Sequence, residues 1–301
     1  MPSTNEEMLK KIDPLLYFEQ FISEEVYPDG RDVMQFRPMS VDVAVDPSAY
    51  GSSYVQQSGA SVSCCVKLSV APNSDDPPLV YELKALECIT KEMTEEANAT
   101  LKQVVTAEYL LDADSLRIEN VNNKFDLRFT LHLEIVAISA DGFLTGAVLT
   151  AVQAALLNTR LPNVTYEGAA ILESDDLQMD DIPLEFDIAK LHIKPSSING
   201  KLVKMNDFLV HTSFLLHSNM NASKKSNSYQ LLCDPTAELC AIIPARCYLM
   251  VGGSGGEEIL ALSLIGTDKI TLNDSIVEEA FRTAQRRYAA ISAAIERCQQ
   301  L

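Results

Sequence analysis

Three kinds of residue in this sequence have types and spacings that could do chemistry, and each must be weighed against a plainer role. Cys233, Cys240 and Cys247 recur every seven residues, which invites a metal reading. Zinc sites use tight pairs such as C-x2-C or H-x3-H, so that neighbouring ligands reach one ion, and no such pair occurs here. The seven cysteines (Cys64, Cys65, Cys88, Cys233, Cys240, Cys247 and Cys298) are odd in number in a long chain. Packed free thiols are therefore expected, not a disulfide framework. His132, His192, His211 and His217 stand near no cysteine and form no H-E-x-x-H; they read as strand histidines. No metal and no cofactor is expected.

Val251-Gly-Gly-Ser-Gly-Gly256 is the one glycine cluster. A phosphate cradle needs G-x4-G-K-[ST] or G-x-G-x-x-G leading from a strand into a helix. Here strand-like residues follow, so the cluster reads as a hairpin turn. No G-x-S-x-G nucleophile elbow is present. Asp175-Asp176 and Asp180-Asp181 read as a solvated acidic loop. Arg282, Arg286, Arg287 and Arg297 stud the last helix. They read as a solvated face, because Glu278 and Arg282 are an i, i+4 pair and cations suit a helix C-terminus. On residue chemistry alone no active site is visible.

The chain has 301 residues, with 24 Lys and Arg against 42 Asp and Glu, a net charge of −18. Hydrophobic residues are 47 %, enough to build a core, which excludes global disorder. The acidity argues against a free-standing nucleic-acid binder, whose affinity rests largely on cations that neutralise phosphate. No apolar run reaches the ~18 residues of a membrane span, and Met1 to Lys10 has no secretory leader pattern. The expectation is a soluble intracellular protein with no membrane partner, in which the sequons at Asn98, Asn163 and Asn221 are silent.

Any site must be positioned by the elements that the periodicity implies. Asp13 before Pro14 is an N-cap followed by proline at the first helical position, and an apolar face runs from Leu15 to Val26. Tyr27-Pro28-Asp29-Gly30 is a turn. Val41, Val43 and Val45 alternate as a strand, and strand composition continues from Tyr54 to Val70, with Gly51-Ser52 and Ser58-Gly59 read as turns. Asn73 to Pro78 reads as a loop. A helix is expected over 94–111, a long strand over 125–138, a turn at Asp141-Gly142 and a small-residue helix over 145–158. In the second half strands are expected at 164–171, 186–193, 208–216, 229–233, 241–249 and 259–264. The last helix starts at a capping-box spacing, Ser275 and Glu278, and carries Val277, Phe281, Ala284, Tyr288, Ile291 and Ile295. Strands then helices, twice over, give an α+β architecture.

Four segments, in order, carry a resemblance. Pro14-Leu15-Leu16-Tyr17-Phe18, Tyr27-Pro28-Asp29-Gly30-Arg31 and Phe36-Arg37 resemble the opening of RNase PH-like proteins, a helix followed by R-P-D-G-R and a further arginine. Gly51-Ser52-Ser53-Tyr54-Val55, Gly59 and Cys65-Val66-Lys67 are similar to that family's G-S-A-x-V…G-x-T…G-V-K hairpin. Asp141-Gly142, Ala151 to Leu156 and Leu161-Pro162 are similar to its D-G-N…A-A-L…P segment, and Asp234-Pro235-Thr236 to its D-P-T strand end. The resemblance covers 13–298, and within the family it is greatest to ring subunits of the eukaryotic RNA exosome. It implies the RNase PH-like fold, also described as ribosomal protein S5 domain 2-like, with two ββαβα-type halves in one domain over 1–301. The halves would be about 30–165 and 166–301. It further implies pairing with other RNase PH-like subunits in a six-membered ring, cap subunits above it, and RNA threading the channel. Arg31, Lys67 and Lys91 would be RNA-channel contacts. The locations implied are nucleus, nucleolus and cytoplasm, and the roles are rRNA maturation and the turnover of mRNA and non-coding RNA.

The departures from the family pattern bear on activity. Its active members hold RNA and phosphate with an arginine pair where this chain has Leu86-Glu87-Cys88-Ile89-Thr90-Lys91-Glu92. They hold the attacking phosphate with G-T-R-T, where this chain has Gly142-Phe143-Leu144-Thr145-Gly146. The acidic run after D-P-T is reduced to Ala237-Glu238-Leu239, and Tyr27 replaces the first arginine of R-P-D-G-R. Charge stabilisation is usually the largest catalytic contribution, so the resemblance implies a non-catalytic ring subunit with no catalytic residues. The alternative is a phosphorolytic 3′-to-5′ exoribonuclease.

Overall fold

The computed structural model describes residues 4–72, 77–106, 109–118, 127–166, 191–194, 201–218, 229–266 and 274–299. Two short helices open it, α1 (Thr4–Ile12) and α2 (Pro14–Ile22). The start of α2 follows the expected cap: the Asp13 carboxylate accepts from the Leu16 N–H at 3.0 Å, with Pro14 next to it. The first sheet is built from β1 (Ser40–Val43), β2 (Gly51–Gln57), β3 (Ala60–Pro72), β4 (Leu79–Ala85) and β5 (Leu127–Ser139), in the order β1-β2-β3-β5-β4. β4 runs parallel to β5 and the other pairs are antiparallel. The parallel pair needs a crossover, which α3 (Lys91–Thr106) provides. On β5 the alternation is obeyed, with Leu131, Leu133, Ile135 and Ala137 buried on one face.

The helix α4 (Thr145–Leu157) is buried almost all round, as its small residues imply. It rests on β2 and β3 and also touches β10 (Val210–Ser218) of the second sheet. Gln153 ties α4 to the residue before β10: its amide accepts from the Leu209 N–H and donates to the Leu209 carbonyl, both at 2.7 Å. In chain order two small pairs follow α4, β6 (Arg160–Leu161) with β9 (Lys201–Leu202) and β7 (Asn163–Tyr166) with β8 (Leu191–Lys194). The second sheet has the order β11-β10-β12-β13, with β11 (Tyr229–Cys233), β12 (Arg246–Gly252) and β13 (Glu258–Ile265). A two-turn helix α5 (Ala237–Ile242) precedes β12, and the long α6 (Asp274–Gln299) packs on β10, β12, β11 and β1. One apolar cluster draws on both sheets, α3, α4 and α6.

The mixed architecture agrees with the sequence reading, and several local assignments change. Gly51-Ser52 is strand, not turn; Gly51 is required because a Cβ there would lie 2.2 Å from the Thr159 hydroxyl oxygen and 2.6 Å from the Ala155 carbonyl. The Ala241–Leu249 strand is in fact the end of α5 followed by β12, since a short apolar run fits either period. The helix expected over 94–111 begins at Lys91 and ends at Thr106, and β4 and α1 had no counterpart in the reading. Ser275 lies inside α6 and not at its cap. Arg287 is 5 % exposed, because position 287 stands beside the core positions Ala284, Tyr288 and Ile291. The acidic loop at 174–181 lies outside the described residues, as do most of the strands expected at 164–171 and 186–193 and most of the loop at Asn73 to Pro78. Among the described residues no His, Cys, Asp and Glu group has metal-site geometry. The cysteine reading holds for Cys64, Cys233 and Cys247, buried in strands, and for Cys65, half-buried in β3. Cys240 is buried in α5, and Cys88 is exposed.

Candidate functional site

The segment 27–37 folds onto the end of β11. Gly30 takes a left-handed turn at φ 85°, which closes Tyr27 N–H on the Arg31 carbonyl at 2.7 Å. The Tyr27 hydroxyl donates to the Cys233 carbonyl at 2.7 Å, and burial pushes its phenol well above the usual tyrosine range. Arg31 lies with its guanidinium 4.8 Å from the Tyr27 ring centroid. It donates to the Asp29 carboxylate at 2.7 Å and to the Gln35 carbonyl at 3.0 Å. Asp29 sits below the ordinary carboxylate range: desolvation works against this, and the Arg31 hydrogen bonds and charge outweigh it.

Arg37 is the centre of the site. Its backbone N–H donates to Asp234 Oδ2 at 2.6 Å, and its Nε and Nη2 donate to Oδ1 at 3.1 and 2.7 Å. Nη1 reaches the Asp141 carboxylate at 2.9 Å, and Nη2 the carbonyls of Ser58 and Asp141 at 2.8 and 2.7 Å. Asp141 in turn accepts from the Ala237 N–H at 2.8 Å, at the start of α5. One guanidinium thus ties four loops together. Burial alone would lower its pKa, and the Asp234 and Asp141 carboxylates more than offset that. Gly59 and Gly142, both at positive φ, make room for it. A Cβ on Gly59 would meet Arg37 Nη1 at 2.5 Å, and one on Gly142 would meet the Pro235 carbonyl at 2.3 Å. Beside them Arg287 stacks on Phe36 at 4.5 Å and donates weakly to the Ser58 hydroxyl at 3.4 Å; burial lowers its pKa to about 10.

A second polar group lies at the start of α4, in the segment where the sequence lacks G-T-R-T. Glu96 of α3 accepts from the Thr145 hydroxyl at 3.3 Å and from the Tyr248 hydroxyl at 3.0 Å. Arg246 lies 3.7 Å from the same carboxylate. Phe143 packs edge-on against Tyr248 at 5.9 Å, and the Arg246 guanidinium is 5.9 Å from the Phe143 ring centroid. Desolvation raises the Glu96 pKa despite these donors. The group thus holds one carboxylate, with its nearest cation, Arg246, already engaged to it.

Of the three residues singled out as channel contacts, Arg31 belongs to the centre just described, with its side chain only 13 % exposed. Lys67 on β3 pairs with Glu134, and Lys91 at the start of α3 pairs with Glu95 at 3.3 Å; both ammoniums are exposed. The three form no bond to one another. Arg37, Asp141 and Asp234 were visible in the sequence as motif residues, but not as partners. Glu96 and Arg246 had no sequence signal, since each is one charged residue among many.

Comparison with known proteins fits this geometry. Residues 35–162 match the RNase PH model, described as the 3′ exoribonuclease family, domain 1. A solved structure described as the archaeal exosome core superposes with a TM-score of 0.63, covering 97 % of this chain and 100 % of the other at 18 % identity. The fold is RNase PH-like. Relatives of this chain include exosome complex component rrp43 of Schizosaccharomyces pombe, 23 % identical over 168 residues. Exosome complex component RRP42 of Saccharomyces cerevisiae is 25 % identical over 203 residues. The matches cover 53 % and 65 % of this chain, and the chain spans 62 % and 71 % of those relatives' lengths. The fold match extends across both sheets, whereas the family model covers the first sheet and α4.

Proposed function

We propose that this chain is a non-catalytic structural subunit of an RNA exosome core ring, supporting 3′-to-5′ RNA processing and degradation by forming part of the channel. One observation carries the non-catalytic reading: the start of α4 supplies no arginine, and its Thr145 faces the Glu96 carboxylate of α3, with Arg246 engaged to it. The centre at Arg37 supports it too. Asp234 is 3 % exposed and held by Arg37, so this buried carboxylate is not available as a base. The relatives named as exosome components support ring membership. Among ring subunits the opening helix and the glycine-serine-glycine turn favour the type called component 8 in animals. This reading takes 1–301 as one domain, supported by the shared core and by the Arg37–Asp234 tie between the two parts. It places the chain in nucleus, nucleolus and cytoplasm, with homologous ring subunits, cap subunits and threaded RNA as partners.

The test is degradation of 5′-labelled single-stranded RNA by the purified chain, with and without inorganic phosphate. No shortening is expected; processive, phosphate-dependent shortening establishes the exoribonuclease alternative instead. RNA binding by the isolated chain should be weaker than micromolar at ~150 mM salt, since a charge of −18 repels phosphate and little counterion release is available. Lys67 and Lys91 would then contact RNA only in the assembled ring, where crosslinking reports them.

A further inference from the structure

Among the described residues the side-chain oxygens Gln57 Oε1 and Thr212 Oγ1 are buried and meet no hydrogen-bonding group of the protein. Such atoms are uncommon in folded proteins, and each calls for a physical account. Gln57 ends β2 of the first sheet and is 4 % exposed, and Thr212 stands on β10 of the second sheet and is 2 % exposed. Both line one small cavity, of about 20 Å³, together with Arg287 of α6.

The polar groups around that cavity differ in what they still offer. The Asp234 carboxylate is taken by Arg37 at 2.7 Å, and Ser213 and the His211 ring lie 3.5 Å from each other. Arg287 lies over Phe36 and makes one long hydrogen bond, to Ser58 at 3.4 Å, which leaves most of its five N–H donors over. The cavity therefore presents an acceptor (Gln57 Oε1), donors (Arg287) and a hydroxyl that can do either (Thr212). A guest must donate to the first and accept from the second. An anion cannot donate, and a cation is repelled by the guanidinium. The volume suits a single water, which needs about 10–15 Å³, and leaves no room for a polyatomic ion such as phosphate.

We propose that the cavity is the site of one bound water molecule, which hydrogen-bonds to Gln57, Thr212 and Arg287 and so joins β2, β10 and α6. The site lies within this chain and is independent of ring membership. The water donates to the Gln57 oxygen, accepts from the Arg287 guanidinium and exchanges a third hydrogen bond with the Thr212 hydroxyl, about the number that a buried water commonly makes. Residues on three elements far apart in the chain then meet through solvent, next to the Arg37 centre, whose Asp234 lines the same cavity.

The test is a high-resolution crystal structure of the full chain, with one crystal soaked in bromide, beside thermal melts of two variants. One density peak should lie within hydrogen-bonding distance of Gln57 Oε1, Thr212 Oγ1 and an Arg287 nitrogen, and bromide should give no anomalous signal there. Bromide at that place would mean that the Gln57 amide is turned to donate and that the guest is an anion, which overturns the assignment. A cavity without a peak overturns it as well. Thr212→Val keeps the side chain's shape and removes its hydroxyl. Loss of an unpaired hydroxyl would leave the unfolding midpoint unchanged or raise it; with a water bound, the midpoint should fall by roughly 1–6 °C. Gln57→Met should lower it likewise, and the double variant should lose less than the sum of the two, because both act through one water. A midpoint that holds or rises in Thr212→Val, or strict additivity, refutes the shared water. Should a variant not fold, the crystal of the unaltered chain still decides.

Discussion

Changing Asp234 to Asn tests whether the Arg37 centre is structural. Asp234 has a left-handed backbone at φ 48°, a conformation that Asn also tolerates well, so the substitution removes charge with little backbone penalty. It also removes one of the three acceptances that the carboxylate gives Arg37, at 2.6, 2.7 and 3.1 Å, since an amide nitrogen cannot accept. Breaking a buried pair by neutralising one partner costs about 3–5 kcal/mol. Arg37 keeps the Asp141 carboxylate, which is 53 % exposed, so the lower end, about 3 kcal/mol, applies. For a chain of this size each kcal/mol moves the unfolding midpoint by about 2–4 °C, so Asp234→Asn should lower it by roughly 6–12 °C. Circular dichroism melts of wild type, Asp234→Asn, Arg37→Gln and the double variant form a cycle. The double variant should be less destabilised than the sum of the singles. A single-variant loss below about 1 kcal/mol, or strict additivity in the cycle, would refute the account of Arg37 as the tie between the sheets.

The remaining expectations are direct. Burial lowers His211 to about 4, so between about 6.5 and 4 the unfolded chain takes up the proton first and stability falls with falling pH, by roughly 3 kcal/mol in all; His211→Asn should flatten that part of the stability-against-pH curve. Glu96 has the opposite sign: its raised folded pKa means a contribution present at low pH and lost as pH rises through that value, so Glu96→Gln should be relatively more stable at neutral than at acid pH. Gly51→Ala should destabilise the fold by at least about 2 kcal/mol, because its Cβ meets backbone as well as a side chain, measured by urea titration. In thiol labelling of the native protein Cys88 should react first and Cys64, Cys233 and Cys247 only on unfolding, following their exposure.

What the sequence by itself determined is what depends on near neighbours. The Asp13-Pro14 helix start, the Ser58-Gly59 turn, the alternation of β5 and the glycine hairpin between β12 and β13 all lie within a few residues of their causes. The same holds for the absence of arginine at the start of α4, a matter of composition at a motif position. The sequence showed Arg37, Asp141 and Asp234 as separate motif residues, but they are 104 and 197 positions apart from Arg37. Only the packing of α4 and β11 brings them together. Gly51 looked like a turn residue because its real reason, the approach of Thr159, is over a hundred positions away. Arg287 looked solvated because charge suggested it, until α6 turned that position into the core. The place of β13 as the outer strand of its sheet was equally hidden. A strand's own sequence says which of its side chains are apolar, but whether its outer hydrogen bonds are already used is decided by its neighbours in the sheet.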